Sequence, residues 1–246
     1  MQTVMITGAS SGFGLDAARH FLAQGWRVIA AMRKPDATLL PASDRLSLVA
    51  LDVTDAASIA AAVVGPIDVL VNNAGVGWLN ALEGTPDAAA RQIFETNTLG
   101  TIAMTRAVIP QMRERGAGVV IQVSSSVTLL PLPLLSVYTA SKAAVNAFTE
   151  VLALELAPFG IRTHIVLPGR APDTRFGANA QALMTDSPFP APYMPQVQAV
   201  MASFATPTEE ITRAEDVTSA IWRAATDPDA PPRIPAGRDA VALFRG

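Results

Sequence analysis

The chain contains no cysteine, and its two histidines, His20 and His164, lie far apart in the sequence. The absence of cysteine excludes disulfide bonds, thiol nucleophiles and zinc sites with cysteine ligands. Two distant histidines form no metal-ligand cluster, so we expect no metal site.

Charged residues are also scarce. Asp, Glu, Lys and Arg make up 16% of the 246 residues, the formal net charge is −3, and 50% of the residues are hydrophobic. This composition excludes an intrinsically disordered chain, because such chains have high net charge and few hydrophobic residues. No basic block is present, so we do not expect a nucleic-acid partner.

Long apolar runs are missing as well. The stretch Val127–Leu135 is interrupted by Pro131 and Pro133, and a membrane-spanning helix needs about 18 apolar residues or more. The first eight residues lack the charged and apolar regions of a signal peptide. We therefore expect a cytoplasmic protein with no membrane partner.

What the sequence does contain is a repeated alternation of two patterns. Continuous Val- and Ile-rich runs are typical of strands that are buried on both faces of a parallel sheet, and the stretches between them have helical spacing. The alternation predicts one α/β domain over residues 1–246, a Rossmann-like doubly wound parallel sheet with helices on both faces. The predicted strands are Thr3–Ile6, Arg27–Met32, Leu46–Leu51, Ile67–Val71, Val119–Val123, Ile161–Leu167 and Arg233–Ile234, and the predicted helices are Phe13–Gln24, Ala56–Val64, Pro86–Arg115, Tyr138–Ala157 and Ala214–Thr226.

The pattern weakens between residues 170 and 208, which are rich in proline. We predict an irregular excursion there with one helical piece, about Gln196–Ala205. A long irregular insertion in a compact domain is usually functional, and we expect this one to act as a lid over a substrate pocket.

A glycine-rich turn joins the first predicted strand to the first predicted helix. Glycine lets the backbone turn sharply and approach a ligand closely, and the following helix N-terminus offers free N–H groups to a pyrophosphate. The same letters also spell G-x-S-x-G, a hydrolase nucleophile motif around Ser10 that would need His164 as its base, and a purely structural turn is the third interpretation. We expect phosphate contacts from Gly8, Ser10, Ser11, Gly12, Phe13 and Gly14.

The end of the second predicted strand indicates which dinucleotide binds. An acidic residue there would hold the ribose 2′-hydroxyl of NAD, but this strand ends in Arg33 and Lys34. Two cations suit a 2′-phosphate, so we expect NADP(H) to be preferred, with NAD(H) possible. The other interpretation is that both are ordinary solvated charges.

The only two lysines and two tyrosines of the chain include a pair four residues apart, Tyr138 and Lys142. On a helix this spacing places both side chains on one face. A neighbouring ammonium lowers the pKa of a phenol and so makes it a usable proton donor and acceptor. An unremarkable helix face is the alternative interpretation.

Together these motifs resemble the short-chain dehydrogenase/reductase family. The glycine turn, Asn72–Gly75, Ser125, the Tyr138–Lys142 pair and Pro168-Gly169 have the order and spacing of that family over about two-thirds of the chain. The resemblance implies that Tyr138 is the general acid/base, that Lys142 lowers its pKa and binds the nicotinamide ribose, and that Ser125 orients the substrate. Ser124 and Ser126 flank Ser125, so the serine assignment can be off by one.

The resemblance also implies further contacts. Asn97 is similar to the helix asparagine that holds a water in the proton relay, although a satisfied structural amide is the alternative. Adenine is expected beside Asp52 and Val53, and the cofactor is expected to run past Asn73, Ala74, Gly75, Pro168 and Gly169.

One position departs from the family pattern. The family places a threonine five residues after the proline of Pro-Gly, and here Thr174 follows Pro168 by six. The role of Thr174 as a cofactor ligand is therefore in doubt. Arg170 either faces the pocket to receive a carboxylate, pairs with Asp173 or points to solvent, and surface pairing is common.

Apolar residues gather in three segments that the fold should bring to the carboxyl ends of the strands. They predict a pocket for a bulky hydrophobic ketone or alcohol, and core or subunit packing is the alternative. The expected pocket residues are Trp78, Val127, Leu132, Tyr193 and Met194, and Phe189, Met201 and Phe204 of the proline-rich segment are expected beside them.

The sequence thus predicts an NADPH-preferring carbonyl reductase that also works in reverse as an alcohol dehydrogenase. The alternatives are an NAD-dependent alcohol or hydroxysteroid-type dehydrogenase, and a non-catalytic nucleotide sensor on the same fold. Two long helices carry more apolar residues than one face needs, so we expect a homodimer or homotetramer.

Overall fold

A computed structural model describes residues 1–185, 187–206 and 210–245. Within them, seven parallel strands form one sheet in the order β3-β2-β1-β4-β5-β6-β7. The parallel pairing and the reversal of strand order at β1 confirm the predicted doubly wound fold. The strands are β1 (Thr3–Thr7), β2 (Arg27–Met32), β3 (Leu46–Ala50), β4 (Val69–Asn72), β5 (Gly118–Val123), β6 (Ile161–Pro168) and β7 (Arg233–Ala236).

Helices cover both faces of the sheet. In the described residues they are α1 (Gly12–Ala23), α2 (Ala56–Ala62), α3 (Asp87–Phe94), α4 (Gly100–Arg115), α5 (Ser136–Leu156), α6 (Phe176–Leu183), α7 (Met194–Ala205), α8 (Ala214–Thr226) and α9 (Arg238–Arg245). Local signals end several of them as expected. Gly116 and Gly160 adopt left-handed backbone angles at helix C-termini, and the Asp55 carboxylate accepts a hydrogen bond from the Ala57 N–H at the start of α2.

Two hydrophobic cores lie on opposite faces of the sheet. Val4 and Ile6 point into the core that α1 and α8 cover, and Met5 points into the core that α2, α4 and α5 cover. Alternate residues of one strand therefore enter different cores, as a strand buried on both faces requires. This is why the strands appear in the sequence as continuous apolar runs.

The segment after β6 differs from its prediction. We expected one helical piece in residues 170–208, but the structure has two helices, α6 and α7, and a further helix α9 follows β7. The expectation was wrong because α6 is only eight residues long and has no buried residue, so its short apolar stripe of Phe176, Ala180 and Leu183 is a weak helix signal. Residues 186, 207 and 208 of the excursion lie outside the described residues.

The predicted helix Pro86–Arg115 is interrupted rather than uniform. Glu95–Leu99 form a turn of π-helix between α3 and α4. Such turns are frequent at functional sites because they redirect the side chains and carbonyls of a helix. Asn97, one of the predicted catalytic residues, lies at the centre of this turn.

Candidate active site

A cavity of about 1540 Å³ opens at the carboxyl ends of the strands. Its lining includes the glycine turn after β1, the ends of β2 and β4, the serine segment after β5 and the first turns of α5. Parallel α/β sheets bind their ligands at this edge. The cavity therefore brings most of the predicted site residues together.

The glycine turn holds its backbone where no other residue fits. Gly8 and Gly12 have φ of +68° and +53°, and a Cβ on Gly8 would lie 2.9 Å from the Ala74 Cα. A Cβ on Gly14 would lie 2.5 Å from the Gly8 carbonyl oxygen and from Asn73 Nδ2. The turn therefore packs directly against the segment after β4, and Ser10, Ser11 and Phe13 line the cavity beside it.

A hydrogen-bond network that sequence reasoning missed joins these two segments. The backbone N–H groups of Asn73 and Ala74 both donate to Thr7 Oγ1, each at 3.0 Å. Asn73 Nδ2 donates to the Thr7 and Gly8 carbonyls at 3.0 and 3.2 Å. The Asn73 side chain is thus engaged with the glycine turn, and Thr7, whose only sequence signal is its place at the end of β1, is the hub.

The end of β2 presents one cation to the cavity. Arg33 lines it beside Asp52 and Val53, whereas Lys34 is exposed and outside the lining. Arg33 is therefore the cation that lines the cavity, and a contact from Lys34 to a bound cofactor stays a prediction. Hydrogen bonds from Thr54, with a smaller contribution from Arg33, lower the pKa of Asp52.

Ser125, Tyr138 and Lys142 all line the cavity. Ser125 precedes a short 3₁₀ turn after β5, and Tyr138 and Lys142 lie one turn apart near the start of α5. A hydrogen bond joins the side chains of Ser125 and Tyr138. Lys142 Nζ donates to the Val123 carbonyl at 2.9 Å, so the sheet holds the ammonium in place.

Burial is the largest influence on the pKa values of Tyr138 and Lys142. It raises the pKa of Tyr138 to about 12, an effect that the Ser125 hydrogen bond partly offsets, and it lowers the pKa of Lys142 to about 8. We expected the Lys142 charge to lower the Tyr138 pKa, and the direction found is the opposite. The reason is that loss of water disfavours the charged form of both groups.

Asn97 is engaged through its side chain. Its Oδ1 accepts from the Val76 N–H at 2.8 Å, and its Nδ2 donates to the Val76 carbonyl and to Ser141 Oγ at 2.9 and 3.1 Å. Ser141 Oγ in turn donates to the Tyr138 carbonyl at 2.7 Å. The amide therefore ties the segment after β4 to α5, as a structural role requires.

The Pro168-Gly169 segment is clasped by residues far away in the sequence. The Gly169 N–H donates to Thr212 Oγ1 at 2.8 Å, and the Arg170 N–H donates to Asp239 Oδ2 at 2.6 Å. Thr212 Oγ1 also donates to Asp239 Oδ1 at 2.8 Å. Thr212 and α9 thus fix this wall of the cavity, and neither was predicted because no local motif marks them.

Arg170 lines the cavity, which was one of the three alternatives for this residue. The Arg170 guanidinium donates to the Ser203 and Phe204 carbonyls at the end of α7. It thus binds main-chain carbonyls of α7, and no ion pair with Asp173 is found among the described residues. Thr174 lines the cavity, and its hydroxyl donates to the Ala171 carbonyl at 2.9 Å.

The apolar wall is built partly from the predicted residues. Trp78, Val127 and Leu132 line the cavity. Tyr193 and Met194 do not, so their prediction was wrong: Tyr193 packs on a separate cluster with Ala81, Leu134 and Val197, and Met194 is exposed. Phe189, Met201 and Phe204 of the proline-rich segment line the cavity as expected, and the apolar lining residues that the prediction missed include Phe176, Met184 and Leu243.

The hydrolase interpretation of the glycine turn has no base. His164 lies on β6 outside the cavity lining. Its ring nitrogens contact Arg162 Nη1 and the Pro231 carbonyl, each at 3.0 Å, whereas Ser10 lines the cavity. Among the described residues no group of three His, Asp or Glu side chains is arranged to hold a metal ion.

The family model for short chain dehydrogenases matches residues 2–182. The chain belongs to this family. It is 37% identical over 235 residues to the uncharacterized oxidoreductase YusZ of Bacillus subtilis, an alignment that covers 90% of this chain and 84% of YusZ. It is 36% identical over 202 residues to human retinol dehydrogenase 8, covering 77% of this chain and 65% of that protein.

A solved structure extends the likeness to the whole fold. A short chain dehydrogenase from Burkholderia cenocepacia, determined in complex with NADP, matches with a TM-score of 0.79 and 28% identity over 100% of this chain and 94% of its own. The chain is therefore an NAD(P)-dependent dehydrogenase/reductase of the short-chain family. Within the described residues no helix is long and apolar enough to cross a membrane.

Proposed function

We propose that this enzyme is an NADPH-preferring carbonyl reductase, reversible as an alcohol dehydrogenase, for hydrophobic ketones and secondary alcohols. The observation that carries the proposal is the meeting of Ser125, Tyr138 and Lys142 in one cavity, beside a glycine cradle and an apolar wall. The first group suits proton transfer to a carbonyl oxygen, the cradle suits a dinucleotide, and the wall suits an apolar substrate.

The cradle fits a dinucleotide in shape. Gly8 and Gly14 let the turn pack against the segment after β4, and Gly12 lines the cavity at the N-terminus of α1, where Ser11 forms no capping hydrogen bond through its side chain and N–H groups are open to a diphosphate. Arg33 is the cation proposed to meet a 2′-phosphate. Asp52 and Val53 would flank the adenine, and Ala74, Gly75, Pro168 and Gly169 would line the path to the nicotinamide.

The protein's own groups supply proton transfer and orientation. NADP(H), when bound, supplies or accepts the hydride. Ser125 and Tyr138 are proposed to hydrogen-bond the substrate oxygen, and Tyr138 donates its proton as the alcohol forms. A phenol whose pKa is about 12 stays protonated at neutral pH, which is the form that reduction requires.

Lys142 is proposed to return the proton. Its pKa of about 8 lies near neutral pH, so the ammonium can release a proton more readily than an exposed lysine can. Asn97 is proposed to position rather than transfer, since its amide links the Val76 backbone to Ser141 on α5. The Lys142 and Asn97 side chains thereby fix the position of α5 relative to the end of β5 and the segment after β4.

The remaining proposals concern organisation. Residues 1–246 form one catalytic domain in which 170–208 act as a lid, because α6 contributes much of one cavity wall. Val151 and Leu154 on α5 are 58% and 77% exposed, which favours a homo-oligomer through that helix. Light scattering that gives the mass of a single chain would contradict the oligomer.

The test is reduction of a panel of aryl, cyclic and keto-ester ketones, followed by loss of absorbance of NADPH and, separately, NADH. The proposal predicts turnover with a higher kcat/KM for NADPH. Turnover only with NADH would favour the NAD-dependent alternative. Tight cofactor binding without turnover on any ketone would favour the nucleotide sensor and overturn the reductase.

A further inference from the structure

The Tyr138 ring has an aromatic neighbour that belongs to none of the sequence motifs. Phe176, the first residue of α6, lies with its ring centroid 5.8 Å from that of Tyr138, and the two rings are inclined by 54°. Phe176 is 41% exposed although its ring lines the cavity. A large apolar side chain that is exposed and aimed at a reactive phenol is available to contact a substrate.

The position of this ring depends on a missing side chain. A Cβ on Gly77 would lie 2.7 Å from Phe176 Cε1 and 2.8 Å from Cζ, closer than real Cβ atoms approach. Gly77 is not among the positive-φ residues, so its backbone does not itself require glycine. A side chain at this position would instead push the Phe176 ring aside, and Ala180 Cβ is next at 3.1 Å.

The start of α6 is also held in place. Thr174 Oγ1 accepts a hydrogen bond from the Phe176 N–H at 3.4 Å and donates to the Ala171 carbonyl at 2.9 Å. A Cβ on Gly12 would make ordinary contact with Thr174 Cβ at 3.6 Å. Thr174 thus holds the backbone at the start of α6, and the Phe176 ring lies against Gly77.

Besides the polar Ser125, the neighbours of Tyr138 include an apolar cluster. Trp78 and Ile93 form a buried cluster with Tyr138, and further apolar side chains pack against that cluster, namely Val76, Ala89, Val127, Leu135, Val137 and Met184. A substrate whose oxygen meets Ser125 and Tyr138 must place its substituents among these groups and Phe176. A flat aromatic ring gains an aromatic contact there beyond the area that it buries.

We infer that Phe176, seated against Gly77, is a specificity-determining residue that favours planar aromatic ketones over puckered aliphatic ones of the same size. The inference rests on the proposed reductase function. A tilted ring pair contributes an attraction equivalent to roughly 2- to 10-fold in binding. A saturated ring buries similar area but lacks this attraction.

Two ketones with the same carbon skeleton distinguish the effect of substrate planarity from the effect of substrate size. Acetophenone and cyclohexyl methyl ketone differ in the planarity of the ring, and the ratio of their kcat/KM values is the measurement. Because acetophenone differs in intrinsic reactivity, the change of this ratio on substitution is decisive. We expect Phe176→Leu and Phe176→Ala to lower the ratio roughly 2- to 10-fold, and Leu keeps the apolar bulk as the matched control.

A double-mutant cycle tests the seat of the ring. Gly77→Ala should displace the Phe176 ring and change the ratio in the wild-type background. In the Phe176→Ala background the same change should have little effect, because the atoms with which it collides are gone. An equal effect of Gly77→Ala in both backgrounds would overturn the role of Gly77.

A second readout does not depend on turnover. Tyr193 is the only other tyrosine, so in a Tyr193→Phe background the phenolate absorbance near 295 nm reports Tyr138 alone. With a pKa of about 12, only about a tenth of this phenol ionises at pH 11, and Phe176→Ala should raise that fraction several-fold by admitting water. Circular dichroism at the same pH confirms that each variant is folded.

The outcomes distinguish the inference from the proposed function. Turnover of both ketones with an unchanged ratio in the Phe176 variants overturns the specificity role and leaves the reductase intact. Absence of turnover on every ketone overturns both. Equal titration of Tyr138 in the parent and in Phe176→Ala contradicts the shielding of the phenol by Phe176.

Discussion

Lys142 tests whether burial controls the ionisation of this site. The enzyme needs the Lys142 side chain for turnover, but burying its charge lowers the stability of the fold. Its side chain is 5% exposed, and burial lowers its pKa from 10.5 to about 8. A charged lysine in this place therefore costs about 3 kcal/mol of folding free energy at neutral pH. The hydrogen bond to the Val123 carbonyl, worth about 1 kcal/mol, is the main contact that a substitution would lose.

We expect Lys142→Met to abolish turnover and to raise the free energy of unfolding by about 2 kcal/mol at pH 7, the difference of these two effects. The sign follows from proton binding. Between pH 8 and 10.5 the unfolded chain holds more protons at this lysine than the folded chain does, so the stability of the wild type rises with pH across that window. The advantage of the variant is therefore full below pH 8 and shrinks toward pH 10.5.

Urea unfolding of cofactor-free protein, at one protein concentration and at several pH values from 7 to 10.5, measures this difference. Lys34 is the matched control, since it is the only other lysine and is exposed; Lys34→Met should change stability by less than about 0.5 kcal/mol. A Lys142→Met variant that is less stable than the wild type at pH 7, or whose stability difference does not vary with pH, would refute the reasoning.

Three further predictions follow from the cavity walls. Gly14→Ala should destabilise the fold by about 2 kcal/mol or more by forcing Asn73 and the glycine turn apart, as measured by urea unfolding, and should weaken dinucleotide binding, as measured by calorimetry. Arg33→Ala should raise the KM for NADPH roughly tenfold and leave that for NADH nearly unchanged, which initial-rate kinetics can check. Thr212→Val should cost about 1–3 kcal/mol because the Gly169 N–H and the Asp239 carboxylate each lose a partner; an unaltered unfolding midpoint would contradict that role.

The sequence predicted best the features that repeat or that are local. Strands buried on both faces, such as β1, produce uninterrupted apolar runs, and helix ends such as Gly116 carry their own signal. The Tyr138–Lys142 pair was visible because both residue types are rare in this chain. The whole glycine turn was visible because strand, turn and helix follow one another without a gap.

Features that depend on distant contacts were not predictable. The clasp of Thr212 and Asp239 on Gly169 joins segments more than 40 residues apart, and no pattern in either segment marks it. Phe176 was missed because α6 is only eight residues long and has no buried residue, so its apolar spacing is too short to mark a helix. Tyr193 was wrongly assigned to the pocket. An aromatic residue in a proline-rich stretch can line a pocket or pack in a small separate cluster, and the sequence does not distinguish the two.

Other predictions failed because the sequence does not report how deeply a side chain is buried. The pKa of Tyr138 was expected to fall beside Lys142, but burial raises it to about 12. Sequence spacing reports which groups are neighbours and does not report how much water each retains. Sequence spacing likewise did not show that Arg33 lines the cavity while the neighbouring Lys34 does not.

The central claim is that this enzyme transfers a hydride to a ketone while Tyr138 supplies the proton. The most direct test uses NADPH deuterated at the transferring carbon together with a ketone from the panel, and analyses the alcohol by mass spectrometry. The account predicts an alcohol that carries one deuterium on its carbinol carbon with the wild type, and loss of at least about a hundredfold in rate with Tyr138→Phe. Absence of deuterium in the product, or a Tyr138→Phe variant that retains full activity, would contradict it.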